Sequence, residues 1–240
     1  MSTRRYCLVL LALCVSGLYS PRARACGVSA DGAWSCSLEE HEEEERPRWQ
    51  LGAAGQYTTT ALRFDGDRRA EQTRGAVLAV ASYAPARRLR FQASAGLGLG
   101  GAMQLEEREY DMLPGPALGA GVSYTLLEGR PFVAVSGALG ATFARTESDG
   151  ERASYTALDL RLGVMAGTVL FEVLTPYLVA RVFGGPVFWS IEGESVTGTD
   201  VHHYQLGAGL SLRPMEWWSL SFEGVPLGEQ ALSGAVVFSF

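Results

Sequence analysis

The sequence predicts an all-β chain: a single up-and-down antiparallel β-barrel of about ten strands that crosses a membrane. Three observations carry that prediction. Polarity alternates with a period of two from Trp49 to the last residue; the face opposite the apolar one is mostly Gly, Ala and Ser; and short turns alternate with longer charged connections. The chain has 240 residues, 47% of them hydrophobic and only 19% charged. That composition suits one large all-β domain and excludes global disorder.

Residues 1–25 read as a signal peptide. Arg4 and Arg5 precede the apolar stretch Tyr6–Leu18, which is too short to span a bilayer as a helix, and the small-x-small sequence Ala23-Arg24-Ala25 follows. Losing these residues removes four Arg and no acid, so the net charge falls from −6 to −10. A chain this acidic argues against nucleic acid as a partner. Residues 26–48 form a leader for the periplasm, containing Cys26, Cys36 and the acidic run around His41. The cysteines read as a disulfide closing a small loop, with lipidation of Cys26 as the competing reading. The charge run has no periodic apolar face and the thiols no zinc-like spacing, so the leader reads as solvated and no metal or cofactor is implied.

Residues 49–240 supply ten alternating segments, near 49–60, 74–84, 88–103, 115–127, 131–146, 154–170, 175–190, 200–213, 216–226 and 230–240. In the first, Trp49, Leu51, Ala53 and Tyr57 oppose Gln50, Gly52, Ala54 and Gln56. The second alternates least, because Ala76 to Ala81 is apolar on both faces. In the third, Leu89, Phe91, Ala93, Ala95, Leu97 and Leu99 oppose Arg90, Gln92, Ser94, Gly96 and Gly98. In the sixth, Leu158, Leu160, Leu162 and Val164 oppose Asp159, Arg161, Gly163 and Met165. Longer polar loops are expected at 58–74, 104–115, 146–153 and 191–199; the short Pro226–Glu229 connection breaks the trend. The glycines of Gly96–Gly101 lie within a strand, with no following helix and no Lys, so they are not a phosphate loop.

A soluble exported sandwich or lipocalin-like barrel would also alternate. It would set a large apolar core face against a charged outer face, whereas here an unbroken apolar face opposes small residues. About ten residues per strand, tilted by about 45°, cover roughly 25 Å of bilayer. Trp49, Tyr83, Tyr124, Phe132, Tyr177, Trp217 and Trp218 near the short-turn end read as an interfacial girdle.

The last strand alternates and finishes on Phe238-Ser239-Phe240. In this the chain resembles bacterial outer-membrane β-barrel proteins, over about residues 49–240. The resemblance implies insertion in outer-membrane lipid and use of the terminal aromatics by the barrel-assembly machinery.

Alternation points Arg90, Asp159, Arg161, Arg181 and Glu223 into the lumen, where they read as paired charges that fill and stiffen it. Asp200, His203 and Glu223 are the only candidates for catalysis: folding about Pro214 sets His203 and Glu223 at similar heights, where a His–carboxylate pair could act as a base. Omptin-type proteases share the ten strands and have acidic and His residues at the rim. Lipid A deacylases pair a His with a nearby Ser, which Val201-His202-His203-Tyr204-Gln205 lacks. The expected function is therefore non-enzymatic: a structural or surface-interaction barrel with a largely filled lumen. The alternatives are a narrow porin for small solutes and an outer-membrane hydrolase.

Overall fold

A computed structural model describes residues 27–28, 34–35, 49–191 and 194–240. The signal-peptide residues, Cys26, Cys36 and His41 lie outside them. The strands are β1 (Gly27–Val28), β2 (Trp34–Ser35), β3 (Trp49–Phe64), β4 (Arg68–Ala86), β5 (Leu89–Leu105), β6 (Arg108–Leu113), β7 (Gly115–Leu127) and β8 (Phe132–Ser148). They continue with β9 (Glu151–Gly167), β10 (Leu174–Gly184), β11 (Val187–Ile191), β12 (Glu194–Asp200), β13 (Tyr204–Met215), β14 (Trp218–Gly228) and β15 (Gln230–Ser239).

Ten of these close a ring in the order β3-β4-β5-β7-β8-β9-β10-β13-β14-β15, each antiparallel to its neighbours, with β15 returning to β3 from Gln230↔Thr59 to Ser239↔Gln50. The seam extends to the chain end, where Phe240 N–H donates to Trp49 O at 2.9 Å. Around this ring the outward residues are apolar and exposed: Leu51, Leu97, Leu118, Leu139, Leu160, Leu162, Leu178 and Leu232 among them. No second β-layer covers them among the described residues, which excludes the sandwich. At the short-turn end Trp49 packs on Tyr83 at 4.7 Å and Trp217 stacks on Phe238 at 5.9 Å. Phe132 and Tyr177 do not join this girdle. Their strands' parity turns them inward, where with Met165 they form a buried cluster.

The expected long loops are mostly strand. β3 and β4 stay paired up to Phe64↔Arg68 and are joined by a single turn at Asp65–Asp67, while β8 and β9 pair up to Ser148↔Glu151. Sequence reading missed this because the polarity reverses at constant parity. Along β3 the inward face runs Gln50, Gly52, Ala54, Gln56, Thr58, Thr60 and then Leu62 and Phe64, as the outward face changes from Leu51 and Tyr57 to Thr59 and Arg63. Below the reversal the barrel is greasy outside; above it, greasy inside. Hydrocarbon surrounds the first part and water the second.

Two irregularities keep the reversal in step. In β5, Gly75 pairs with Gly100 but Ala76 with Gly98, so Leu99 is an extra residue and Gly100 takes φ +100°. That bulge lets Leu97 and Leu99 face out while Met103 and Leu105 face in. The break at Pro114 does the same between β6 and β7, both of which lie between β5 and β8.

The upper barrel is also narrower. β10 lies between β9 and β13, but after Gly185-Pro186 its continuation β11 lies between β9 and β12, and β12 pairs directly with β3 through Gly198↔Phe64 to Asp200↔Leu62. The upper ring, β3-β4-β5-β6-β8-β9-β11-β12, therefore has eight strands. The β14–β15 hairpin ends beneath it, which is why Pro226–Glu229 is short. Its turn needs Gly228, at φ +85°, because a Cβ there would collide with Tyr204 O. Leu62, Phe64, Met103, Tyr110, Tyr155, Val187, Trp189 and Val196 fill the upper ring as one core. Eight strands enclose a space that side chains can fill, and each large one buried there contributes on the order of 1.5–3 kcal/mol.

The two environments predict opposite responses to the same change on β9. Leu160→Arg, facing hydrocarbon, should destabilise the barrel in lipid vesicles by about 2–4 kcal/mol. Ser154→Arg, outward in the upper ring, should stay within about 0.5 kcal/mol. Urea titration of the refolded variants measures both.

Candidate functional site

Between the upper core and the short-turn end, the inner face carries the buried charges Arg181, Glu223 and Glu229. Strand parity turns Arg90, Asp159, Arg161, Arg181 and Glu223 inward, and most of their contacts join different strands. Arg90 on β5 donates to Gln50 Oε1 at 2.5 Å, and Gln50 Nε2 donates to Ser239 Oγ at 3.1 Å, tying β5 to the closing seam. Arg181 on β10 grips Glu223 on β14 with two bonds, 2.6 and 2.9 Å, and both side chains are 2–3% accessible. Two parallel charge-assisted bonds fix geometry better than one.

A second network lies where ten strands become eight. Arg161 Nε donates to Asp159, its Nη2 to Glu229 at 3.2 Å and its Nη1 to Gln205 at 3.4 Å; Gln205 Nε2 also donates to Glu229, at 3.1 Å. The guanidinium sits over the Phe183 ring at 5.2 Å. The Asp159–Arg161 contact agrees with the two-residue spacing. Glu229 and Gln205 were missed. The available signal was a carboxylate directly after a Gly, in the connection that broke the length trend.

Asp200 ends β12 in the upper ring, outside the membrane-spanning segments, and accepts a bond from Thr60 at 3.2 Å. Burial, then the nearby Glu229 and Asp159 carboxylates, push its carboxyl up to about 6, against the lowering effects of Thr60 and Arg161. Near this level Arg74 lines a small cavity of about 30 Å³ with Gln56, Met112 and Thr142, room for a water or two.

The His203–Glu223 pair is not assembled. Residues 201–203 leave the ladder to link β12 to β13: Val201 N–H donates to Ala61 O and Phe183 N–H to His203 O. That detour breaks the parity that had pointed His203 inward. Its ring is exposed, 3.3 Å from Phe183 O and beside the outward Gly184, while Glu223 is inside on Arg181. His202 stands edge-on to Tyr204 at 6.1 Å. Among the described residues no three metal-ligating side chains converge.

Removing one partner of the buried Arg181–Glu223 pair leaves a bare charge, so Arg181→Ala should destabilise by about 3–5 kcal/mol. Arg181→Met with Glu223→Leu should recover most of that loss, as equilibrium unfolding of the two variants would show. For Asp200 the folded carboxyl binds its proton more tightly than the unfolded one. Its contribution to stability is therefore favourable below about pH 4 and is lost as pH rises through about 6. Asp200→Asn should flatten the stability profile in that window, measured by denaturant midpoints across pH.

No protein-family model and no curated protein sequence matches the chain. Solved structures do. The outer membrane protease OmpT of Escherichia coli is similar at a TM-score of 0.50 with 8% identity, over 84% of this chain and 99% of that one. The translocator domain of autotransporter NalP from Neisseria meningitidis reaches 0.49 with 12% identity, over 82% and 90%. Neisserial surface protein A reaches 0.42 with 10% identity, over 82% and 100%. At 8% identity the likeness to OmpT concerns architecture alone, and that architecture agrees with the closed ring. By fold, the chain is a single up-and-down antiparallel β-barrel of ten strands, the architecture found in outer-membrane β-barrels such as OmpT.

Proposed function

We propose that this is an exported outer-membrane barrel with a structural or surface-interaction role, its lumen closed to solutes. Residues 1–25 direct export, residues 26–48 remain on the periplasmic side, and Phe238 and Phe240 present the last strand to the assembly machinery. The observation that carries the closed-lumen reading is the upper core. Leu62, Met103, Tyr155 and Trp189 are at most 1% accessible and occupy the upper ring, so a solute entering the polar lower lumen meets a hydrophobic seal. Below it, Arg161 and Arg181 are held by carboxylates from other parts of the wall.

The surface role is supported by the same construction. Strands that stay paired to turns such as Asp65–Asp67 and Asp149–Gly150 hold those tips on a solid, water-facing barrel. A rigid scaffold with exposed polar tips is suited to contact with other molecules. The hydrolase reading loses its pair, since His203 is outside and Glu223 inside. The disulfide between Cys26 and Cys36 is proposed from their even count in an exported chain.

Planar-bilayer recording of the refolded full chain tests the reading. Small or absent conductance is expected; large, stable open steps would refute closure and favour a porin. His203→Ala should leave any hydrolytic activity of the refolded protein unchanged, and a loss would restore the enzyme alternative.

A further inference from the structure

The lower lumen is wider than its own lining can fill. Ten strands enclose more space than the eight whose side chains pack a barrel solid. Yet the inward residues toward the short-turn end include Ser82, Thr175, Ser211, Ser219 and Ser221, which are among the smallest side chains, and all are at most 4% accessible. The Phe132–Met165–Tyr177 cluster accounts for one side, on β8, β9 and β10. Tyr177 reaches over Gly209 on β13, and beyond it the wall toward the short turns on β13 and β14 is lined by Ser211, Ser219 and Ser221. The hydroxyls of Ser82, Thr175 and Ser211 have no hydrogen-bond partner among the described residues. Inaccessible hydroxyls on a wide ring require an occupant that is not part of the wall.

The short β1–β2 ladder is placed to be that occupant. Gly27 pairs with Ser35 and Val28 with Trp34. The Cα atoms of β1 come within 8 Å of β13, β14 and β15, and those of β2 within 8 Å of β8. In the ring, β8 is three strands from β14 in one direction (β9, β10, β13) and five in the other, so these walls face each other across the lumen. A ladder roughly 5 Å wide reaches both only from within the ring or its mouth. The upper half is already occupied by its core, which leaves the lower half.

From this we infer that the β1–β2 ladder seats in the periplasmic half of the lumen as a plug. The inference rests on the closed-lumen reading and deepens it. The upper core seals the outer side, and the β1–β2 ladder lies on the inner side against the Ser-lined wall. The backbone groups of a two-stranded ladder that its own pairing leaves open are the natural partners for those hydroxyls.

Photo-cross-linking of the refolded full chain tests the seat. A diazirine amino acid at position 28 should join peptides from residues 204–239, and one at position 34 peptides from residues 132–148. In parallel, Ser221→Cys should react with a membrane-impermeant maleimide at least tenfold more slowly than Ala86→Cys at the exposed short turn. Cross-links confined to the leader, or equal labelling rates at the two positions, would overturn the plug. If either occurs while conductance remains low, the plug fails and the hydrophobic seal of the upper barrel stands. Large conductance would instead refute closure, whatever the cross-links show.

Discussion

Hydrocarbon offers no hydrogen bonds, so every backbone N–H and C=O within the bilayer must find its partner on a neighbouring strand. The chain meets this demand at one place, the seam between β15 and β3, where the ladder continues unbroken to the contact between Phe240 and Trp49. Without that seam there would be two open edges, each unpaired group costing several kcal/mol in lipid. β3 carries a second closure as well, since its upper end receives β12. One strand thus serves a ten-stranded ring in the membrane and an eight-stranded ring above it, and both barrels depend on its register.

The two rings solve the same packing problem with opposite faces. In the membrane, lipid accepts the large apolar side chains and the interior holds small and polar ones. Above it, water rejects apolar groups, so they turn inward and fill a ring narrow enough to be packed solid. Because side chains alternate strictly, the strand itself need not change parity; only the residue types on each face exchange, as Gln50–Thr60 giving way to Leu62 and Phe64 on β3 demonstrates. Where register would have put the wrong face inward, the Leu99–Gly100 bulge and the Pro114 break correct it.

The polar network belongs to the transition between these regimes. Arg161, Gln205, Glu229 and Asp159 gather where β13, β14 and β15 leave the ring. A buried ion network contributes little net stability, because desolvation offsets attraction, but it penalises any register that separates the partners. With Arg181–Glu223 spanning β10 and β14, these contacts specify strand order and register around a lumen whose small side chains could not do so by shape alone.

The period of two, the apolar face and the terminal Phe were legible in the sequence because they are local, and they sufficed for ten strands, their direction and an outer face toward lipid. Inward placement of Arg90, Asp159, Arg161, Arg181 and Glu223 followed from parity within single strands. Their pairing was not legible beyond Asp159–Arg161, since Arg181 and Glu223 are 42 residues apart and become neighbours only because β10 and β14 flank β13. His203 was misplaced for the converse reason: residues 201–203 step out of the ladder where β12 hands over to β13, and parity ends where pairing ends. The amino-acid order by itself determined the alternation. Only the tertiary structure decided where the greasy face turns from lipid to core and where ten strands become eight, because both depend on which strands meet, and that is fixed by closing the ring.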